Sequence, residues 1–274
     1  MATTAPAALR TRDIAAVIRR LRGATLLRFD SLSDVDLERE ALPDWTVADV
    51  FRHLADSDRG SVLGAHLLEF LPSKDLDEFE KQNDANLERL RAVDRTRLRR
   101  ELEVWGQRLA RVIATTPNLL ARRQVSLSFG RVPLAWMGSL RPYDEWVHNW
   151  DIAQAIGGPD APEPAMEPAL RDLLAWFQLR ALPADALLQV GTRDGVVEIA
   201  VDEGPTWRFD LRTGAWGPDV TTAPTARVEL DVAAFCLVAG ARVPWTTLEA
   251  AGRIRVEDDE GGSARAVLDA VRVV

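Results

Sequence analysis

The stretch "RPYDEWVHNWDIAQAIGGP" (141–159) decides how the chain is read. Apolar and aromatic residues recur in it at helical spacing, and Gly157, Gly158 and Pro159 close it with a glycine cap and a proline stop. The sequence before that stop keeps the helical period almost throughout. Beyond it, after a linker and one further helical segment, the period changes to two. The same stretch carries His148, one of three histidines in 274 residues. Asp144 stands four residues before it and Glu145 three before, so either carboxylate reaches the histidine's face of a helix.

Working back toward the N-terminus, "IAAVIRRLRGATLLRF" (14–29) is a first amphipathic helix, followed by a loop at "ALPDW" (41–45). A second helix opens at "WTVADVFRHLA" (45–55), with Thr46 as N-cap and Asp49 as its capping-box partner. The third pattern, "NLERLRAVDRTRLRRELEVWGQRLARVIATTP" (86–117), is strongly charged and ends before Pro117; its first part is a separate turn or short helix. The fourth runs from about Leu134 to Ile156. Four such helices predict a bundle over residues 1–160.

"GGPDAPEPAMEP" (157–168), with four prolines, is a linker by composition. After the helical "ALRDLLAWFQLRAL" (169–182), the segments "ALLQVGT", "GVVEIAVDEG" and "TWRFDLRTG" alternate and are separated by turn signals. "ARVELD" and "GRIRVEDD" add two strands around the helix-like "VAAFCLVAG", and "SARAVLDAV" closes the pattern as a helix. Residues 165–274 therefore predict a small α+β domain, and the fold class is an α bundle followed by α+β.

Composition narrows the function. A composition of 47% hydrophobic and 28% charged residues is that of a soluble globular protein, and a net charge of −8 argues against a nucleic-acid partner, which needs a basic surface. The N-terminus has no apolar signal-peptide region and no run approaches a membrane span. Cys236 is the only cysteine, so no internal disulfide can form, which fits a reducing cytoplasm. Lys74 and Lys81 are the only lysines beside 32 arginines, a bias that suggests a GC-rich bacterial genome.

The histidines carry the chemistry. His53 lies at the edge of the core-facing stripe of the second helix. His66 follows 13 residues later, about 140° around the wheel, so the two cannot share a site unless the helix breaks. If the bundle points His53 inward beside Asp144 and His148, two imidazoles and a carboxylate make a set that suits zinc or another first-row divalent ion. Asp151, three residues past His148, can hold the far ring nitrogen. The plainer reading is a polar pair four residues apart on one helix and a structural histidine on another. Only adjacency of the two helices separates these readings.

Taken together, "DWTVADVFRHLADSD" (44–58), "RPYDEWVHNWDIAQAIG" (141–157) and "KQNDAN" (81–86) resemble the DinB-like mycothiol-dependent maleylpyruvate isomerase family. The resemblance covers nearly the whole chain, since family members carry a C-terminal α/β domain like that of sterol carrier proteins. It implies a DinB-like four-helix bundle holding a divalent metal, usually zinc, on His53, Asp144 and His148. The family's characterised isomerases have glutamate where Asp144 stands, although aspartate appears in related proteins, and the shorter aspartate makes Glu145 a rival ligand. The resemblance also implies mycothiol, an actinobacterial thiol, as cofactor. Its thiolate either adds reversibly to a cis double bond, giving cis–trans isomerisation, or stays attached, giving S-transfer.

Arg141 and Arg242 are the candidate contacts for the acid groups of a small electrophilic substrate. Cys236, in an apolar run, reads as a small buried residue and not as a nucleophile. Trp45, Trp136, Trp146 and Trp150 read as core or pocket wall, with Tyr143 beside the proposed ligands. The competing expectations are a non-catalytic metal- or ligand-binding protein, and a bundle whose polar cluster is structural and which serves protein interaction. A monomer or homodimer fits either.

Overall fold

The computed structural model describes residues 10–64, 87–88, 90–127, 130–181, 194–202 and 206–271. The expected strand "ALLQVGT", His66 and "KQNDAN" lie outside the described residues. The chain divides into two compact units, one formed by Leu9–Ala165 and the other by the chain from Met166 on.

Among the described residues the first unit is built on four long helices: α1 (Thr11–Ser31), α3 (Val47–Leu63), α4 (Arg95–Thr115) and α6 (Leu134–Gly157). Both α1 and α3 pack against α4 and α6. Phe29 of α1 meets Phe51 of α3 edge to face, centroids 4.9 Å apart, in a core that also buries Val50, Leu54, Leu98, Leu102 and Ile152. The helix starts follow local chemistry. The Thr46 side chain accepts from the Asp49 amide while the Asp49 carboxylate accepts from the Thr46 amide, a complete capping box. Asp94 caps α4 by accepting from the Arg97 amide at 2.8 Å.

Short elements interrupt the all-helical expectation for this half. A one-turn helix α2 (Asp34–Leu37) precedes a hairpin of β1 (Glu40–Leu42) and β2 (Trp45–Thr46), whose turn puts Asp44 at φ 65°. Another short helix, α5 (Asn118–Ala121), leads into β3 (Gln124–Leu127) and β4 (Gly130–Pro133), paired antiparallel ahead of α6. The β1–β2 hairpin matters for the site, because it delivers Trp45 to the start of α3.

The second unit holds a five-stranded sheet. Its strands are β5 (Val196–Val201), β6 (Thr206–Asp210), β7 (Ala215–Gly217), β8 (Ala226–Leu230) and β9 (Ile254–Glu257), in the order β7-β6-β5-β8-β9. The β5–β8 pair is parallel and the others antiparallel, with Ile199 opposite Trp207 on one side and Val228 on the other. Among the described residues four helices accompany the sheet: α7 (Pro168–Ala181), α8 (Val232–Ala239), α9 (Trp245–Ala250) and α10 (Ser263–Ala270). α8 is buried along its whole length, as an apolar run without polar breaks requires, and Cys236 sits inside it fully buried. Among the described residues no helix is long and apolar enough to cross a membrane.

Candidate metal centre

The first unit brings α3 and α6 together, so His53 of α3 faces Asp144 and His148 of α6. The Asp144 Oδ1 atom lies 3.5 Å from His53 Nε2 and 3.4 Å from His148 Nε2. One donor atom from each of the three residues falls within 4.8 Å of the others. The two imidazole rings meet edge to face with centroids 4.9 Å apart. Trp45 covers them, 5.1 Å from the His53 ring and stacked at 6.3 Å on the His148 ring. Asp151 accepts at 2.9 Å from His148 Nδ1, which leaves Nε2 to face Asp144.

The electrostatics of this group are uneven. Burial opposes a charged ring at both histidines. At His53 it prevails over the attraction of Asp144 and lowers the pKa from 6.5. At His148 the Asp144 and Asp151 carboxylates outweigh burial and push it up to about 9. Burial would raise Asp144, but Arg141 and the two histidines hold it well below the usual carboxylate range. Without a metal, His148 therefore carries the proton that balances Asp144.

Glu145, the rival carboxylate, faces elsewhere. It is 2% exposed; its Oε1 accepts from Arg22 Nε at 2.8 Å and from the Thr25 hydroxyl at 2.6 Å, and its Oε2 accepts from Arg22 Nη2 at 3.3 Å. Asn149 donates to Thr25 Oγ1 at 2.9 Å and to the Glu145 carbonyl at 2.8 Å. The carboxylate beside the histidines is thus Asp144.

Behind the triad runs a buried ion network that spacing along the chain did not reveal. Arg22 reaches across to Asp58 at 2.8 Å and donates to the Leu102 carbonyl at 2.7 Å. Asp58 in turn accepts from Arg141 Nε at 3.1 Å, and Arg141 Nη1 donates to Asp144 Oδ2. Gly106 makes the space: a Cβ there would sit 3.0 Å from Arg22 Cγ and 3.3 Å from Asp58 Oδ2. A glycine inside an otherwise strong helical pattern was the one sequence signal of this network.

Of the other expected residues, Tyr143, Trp136 and Trp146 are buried, and Trp146 donates to the Pro164 carbonyl at 3.3 Å. Trp136 and Trp146 are core residues, one of the two expectations for them. Arg141 is buried within the ion network. Arg242 belongs to the second unit, where it is half-buried and its Nη1 donates to the Gly240 carbonyl at 2.6 Å.

The donor set fits a divalent metal on two counts. A tetrahedral ion with bonds of about 2.05 Å spaces its donors about 3.3 Å apart, close to the separations from Asp144 Oδ1 to the two histidines. The two imidazole nitrogens and the carboxylate oxygen are also the donor types that a first-row divalent ion takes.

The family model described as the mycothiol maleylpyruvate isomerase N-terminal domain matches residues 18–153, a span that contains the triad and its network. No curated protein matches the chain. Two solved structures share the fold over 92% of this chain and 95% of theirs, at 15% identity. One, with TM-score 0.51, is the mycothiol-dependent maleylpyruvate isomerase; the other, at 0.50, is a histidine-to-alanine mutant of it. Over its helical bundle, residues 18–153, the chain matches the mycothiol maleylpyruvate isomerase N-terminal domain family.

Proposed function

We propose that the protein is a metal-dependent enzyme that uses mycothiol on a small electrophilic substrate, by cis–trans isomerisation or by S-transfer of the thiol. The observation that carries this reading is the convergence of His53, Asp144 and His148 in the part of the chain that matches the family. When bound there, a divalent ion such as zinc favours a thiolate over a thiol at neutral pH.

The chain's own residues prepare that site. Asp151 fixes the ring of His148 so that Nε2 points to the ligand position. The indole of Trp45 covers both imidazoles, which keeps water from the ring faces and strengthens local electrostatics. Three protein ligands leave a fourth position for a thiol. Arg242, in the second unit, is our candidate for a cation that contacts the substrate's acid groups. A single buried cysteine fits a protein of a reducing cytoplasm, and the thiol cofactor fits an actinobacterium.

The test uses the purified full chain. One zinc per chain is expected, with mycothiol binding that depends on it, and His53→Ala should abolish both. Given a cis-alkene electrophile, the loaded protein should return either the trans isomer with thiol released or a thioether adduct, and the product distinguishes isomerase from transferase. A metal-loaded protein that neither binds mycothiol nor consumes electrophile in its presence would sink the enzyme reading.

A further inference from the structure

We propose that Asp58 and Arg141 form a positioning relay that presents Asp144 to the metal through one oxygen only, an inference that rests on the metal reading above. The relay starts in the core. Asp58, five residues beyond His53 on α3, is 1% exposed and divides its two oxygens between Arg22 of α1 and Arg141 of α6. Arg141 is buried as well, and each nitrogen of its fork has a partner. Nε donates to Asp58 at 3.1 Å, Nη1 to Asp144 Oδ2, and Nη2 to the Leu54 carbonyl at 3.5 Å.

A guanidinium is planar and rigid, so fixing one edge on Asp58 and Leu54 fixes where the remaining nitrogen holds its carboxylate. Of the two Asp144 oxygens, Oδ2 is taken by Arg141. Oδ1 is the one that lies 3.5 and 3.4 Å from the two histidines. A free aspartate turns about its side-chain bonds and can offer either oxygen or both. Here the short side chain is held from behind, and Oδ1 alone serves the site. The ligand count stays at three, and the coordination position that a thiol needs stays open. Arg141 is thus a positioning residue, fully engaged within the protein, and not the contact for a substrate's acid groups.

The experiment compares wild-type protein with Arg141→Lys, which keeps the charge but loses the planar fork that fixes Asp144 relative to Asp58 and Leu54, and Asp58→Asn, which keeps the shape but not the charge. Zinc affinity is read by competition with a chromogenic chelator, and geometry by the visible absorption of the cobalt(II)-loaded protein, which is intense for four donors and weak for more. Both variants should retain the helical circular dichroism of the metal-free chain and bind zinc about 10- to 100-fold more weakly, the range for residues that orient ligands. Their cobalt absorption should fall several-fold as the released Oδ2 joins the ion.

Glu145→Gln disturbs the same buried network without touching Asp144. It should lower the melting temperature and leave the cobalt spectrum unchanged. Should Arg141→Lys not fold, the near-isosteric Asp58→Asn decides. Wild-type affinity and absorption in the variants, or the same spectral loss in Glu145→Gln, would overturn the relay alone. A wild-type chain that takes up neither zinc nor cobalt would overturn the metal reading with it.

Discussion

Asp144 and Glu145 are neighbours on one helix, and helical spacing alone allows either to reach His148, yet the protein treats them in opposite ways. The Glu145 carboxylate is 2% exposed and both of its oxygens are taken up by Arg22 and Thr25. The Asp144 side chain is 22% exposed, and one of its oxygens faces only two imidazoles at 3.4 and 3.5 Å. In the inner layer, the Glu145 carboxylate is saturated, as a buried group that holds helices together must be. The outer layer around Asp144 has donor atoms in surplus, which is the condition of a site that expects a ligand. If the contrast is real, the two layers must fail differently.

The largest expected failure is in the inner layer. Arg22→Met leaves Asp58 and Glu145 buried without their shared cation, and removing one partner of such a network costs about 3–5 kcal/mol. Urea unfolding of the metal-free protein measures it. A loss under about 1 kcal/mol would show that the inner layer does not brace α1 against α6.

In the outer layer the failure should spare the fold. His53→Ala should move the stability of the metal-free protein by no more than about 1–2 kcal/mol. Zinc affinity should fall by more than the ~100-fold that an outer partner is worth, because a ligand itself is gone. Equal losses of metal-free stability in His53→Ala and Arg22→Met would erase the distinction between the layers.

How much of this was legible beforehand depended on whether the partners share an element. His148, Asp144 and Asp151 lie within eight residues of one helix, and helical geometry alone set their mutual reach. The bundle was legible for a similar reason, since its four long periodic segments and the capping box at Thr46 are local signals. Choosing between Asp144 and Glu145 was not possible from that helix, because Arg22, which claims Glu145, comes from α1. Arg22 and Asp58 are each one of many like charges and no spacing links them, so the network stayed hidden. Arg141 was expected at the substrate and turned out to be engaged on every nitrogen for the same reason. The hairpin that brings in Trp45 is too short to leave a period, and its turn uses Asp44 in the left-handed region, where aspartate gives a weaker signal than glycine.

The two histidines sharpen the comparison through pH. In the metal-free protein His148 titrates at about 9 instead of 6.5, so the folded state holds its proton more tightly than the unfolded state. That contribution is complete below pH 6.5 and is lost as pH rises through 9. His53 is shifted the other way: its folded-state pKa lies below 6.5, so stability is lost as pH falls below that value. Metal-free stability should therefore peak near pH 6.5. Zinc must displace the His148 proton, so its affinity should rise by up to roughly tenfold per pH unit up to about 9. Chelator competition from pH 6 to 9 checks the slope, and a flat profile would mean that His148 gives up no proton to the metal.

The smallest effect tests how tightly the inner layer is built. Gly106→Ala replaces a helix-weakening residue inside α4, which by propensity alone should stabilise the protein by about 1 kcal/mol. The added methyl would stand 3.0 Å from Arg22 Cγ and 3.1 Å from Arg22 Nη1. In a loose surface cluster the arginine would swing aside and the propensity gain would win. Here Arg22 is fixed at both edges of its guanidinium, by Glu145 on one side and by Asp58 and the Leu102 carbonyl on the other. Overpacking a site that cannot relax costs about 1–3 kcal/mol, so the net change should be a loss of about 1 kcal/mol in metal-free thermal unfolding. Zinc affinity should stay within about threefold of wild type, because the Arg141–Asp144 contact lies one ion pair further on and is held separately by Leu54. A stabilised Gly106→Ala variant would mean that Arg22 has room to move, and the inner layer would then be a flexible charge cluster and not the brace that keeps the outer layer open.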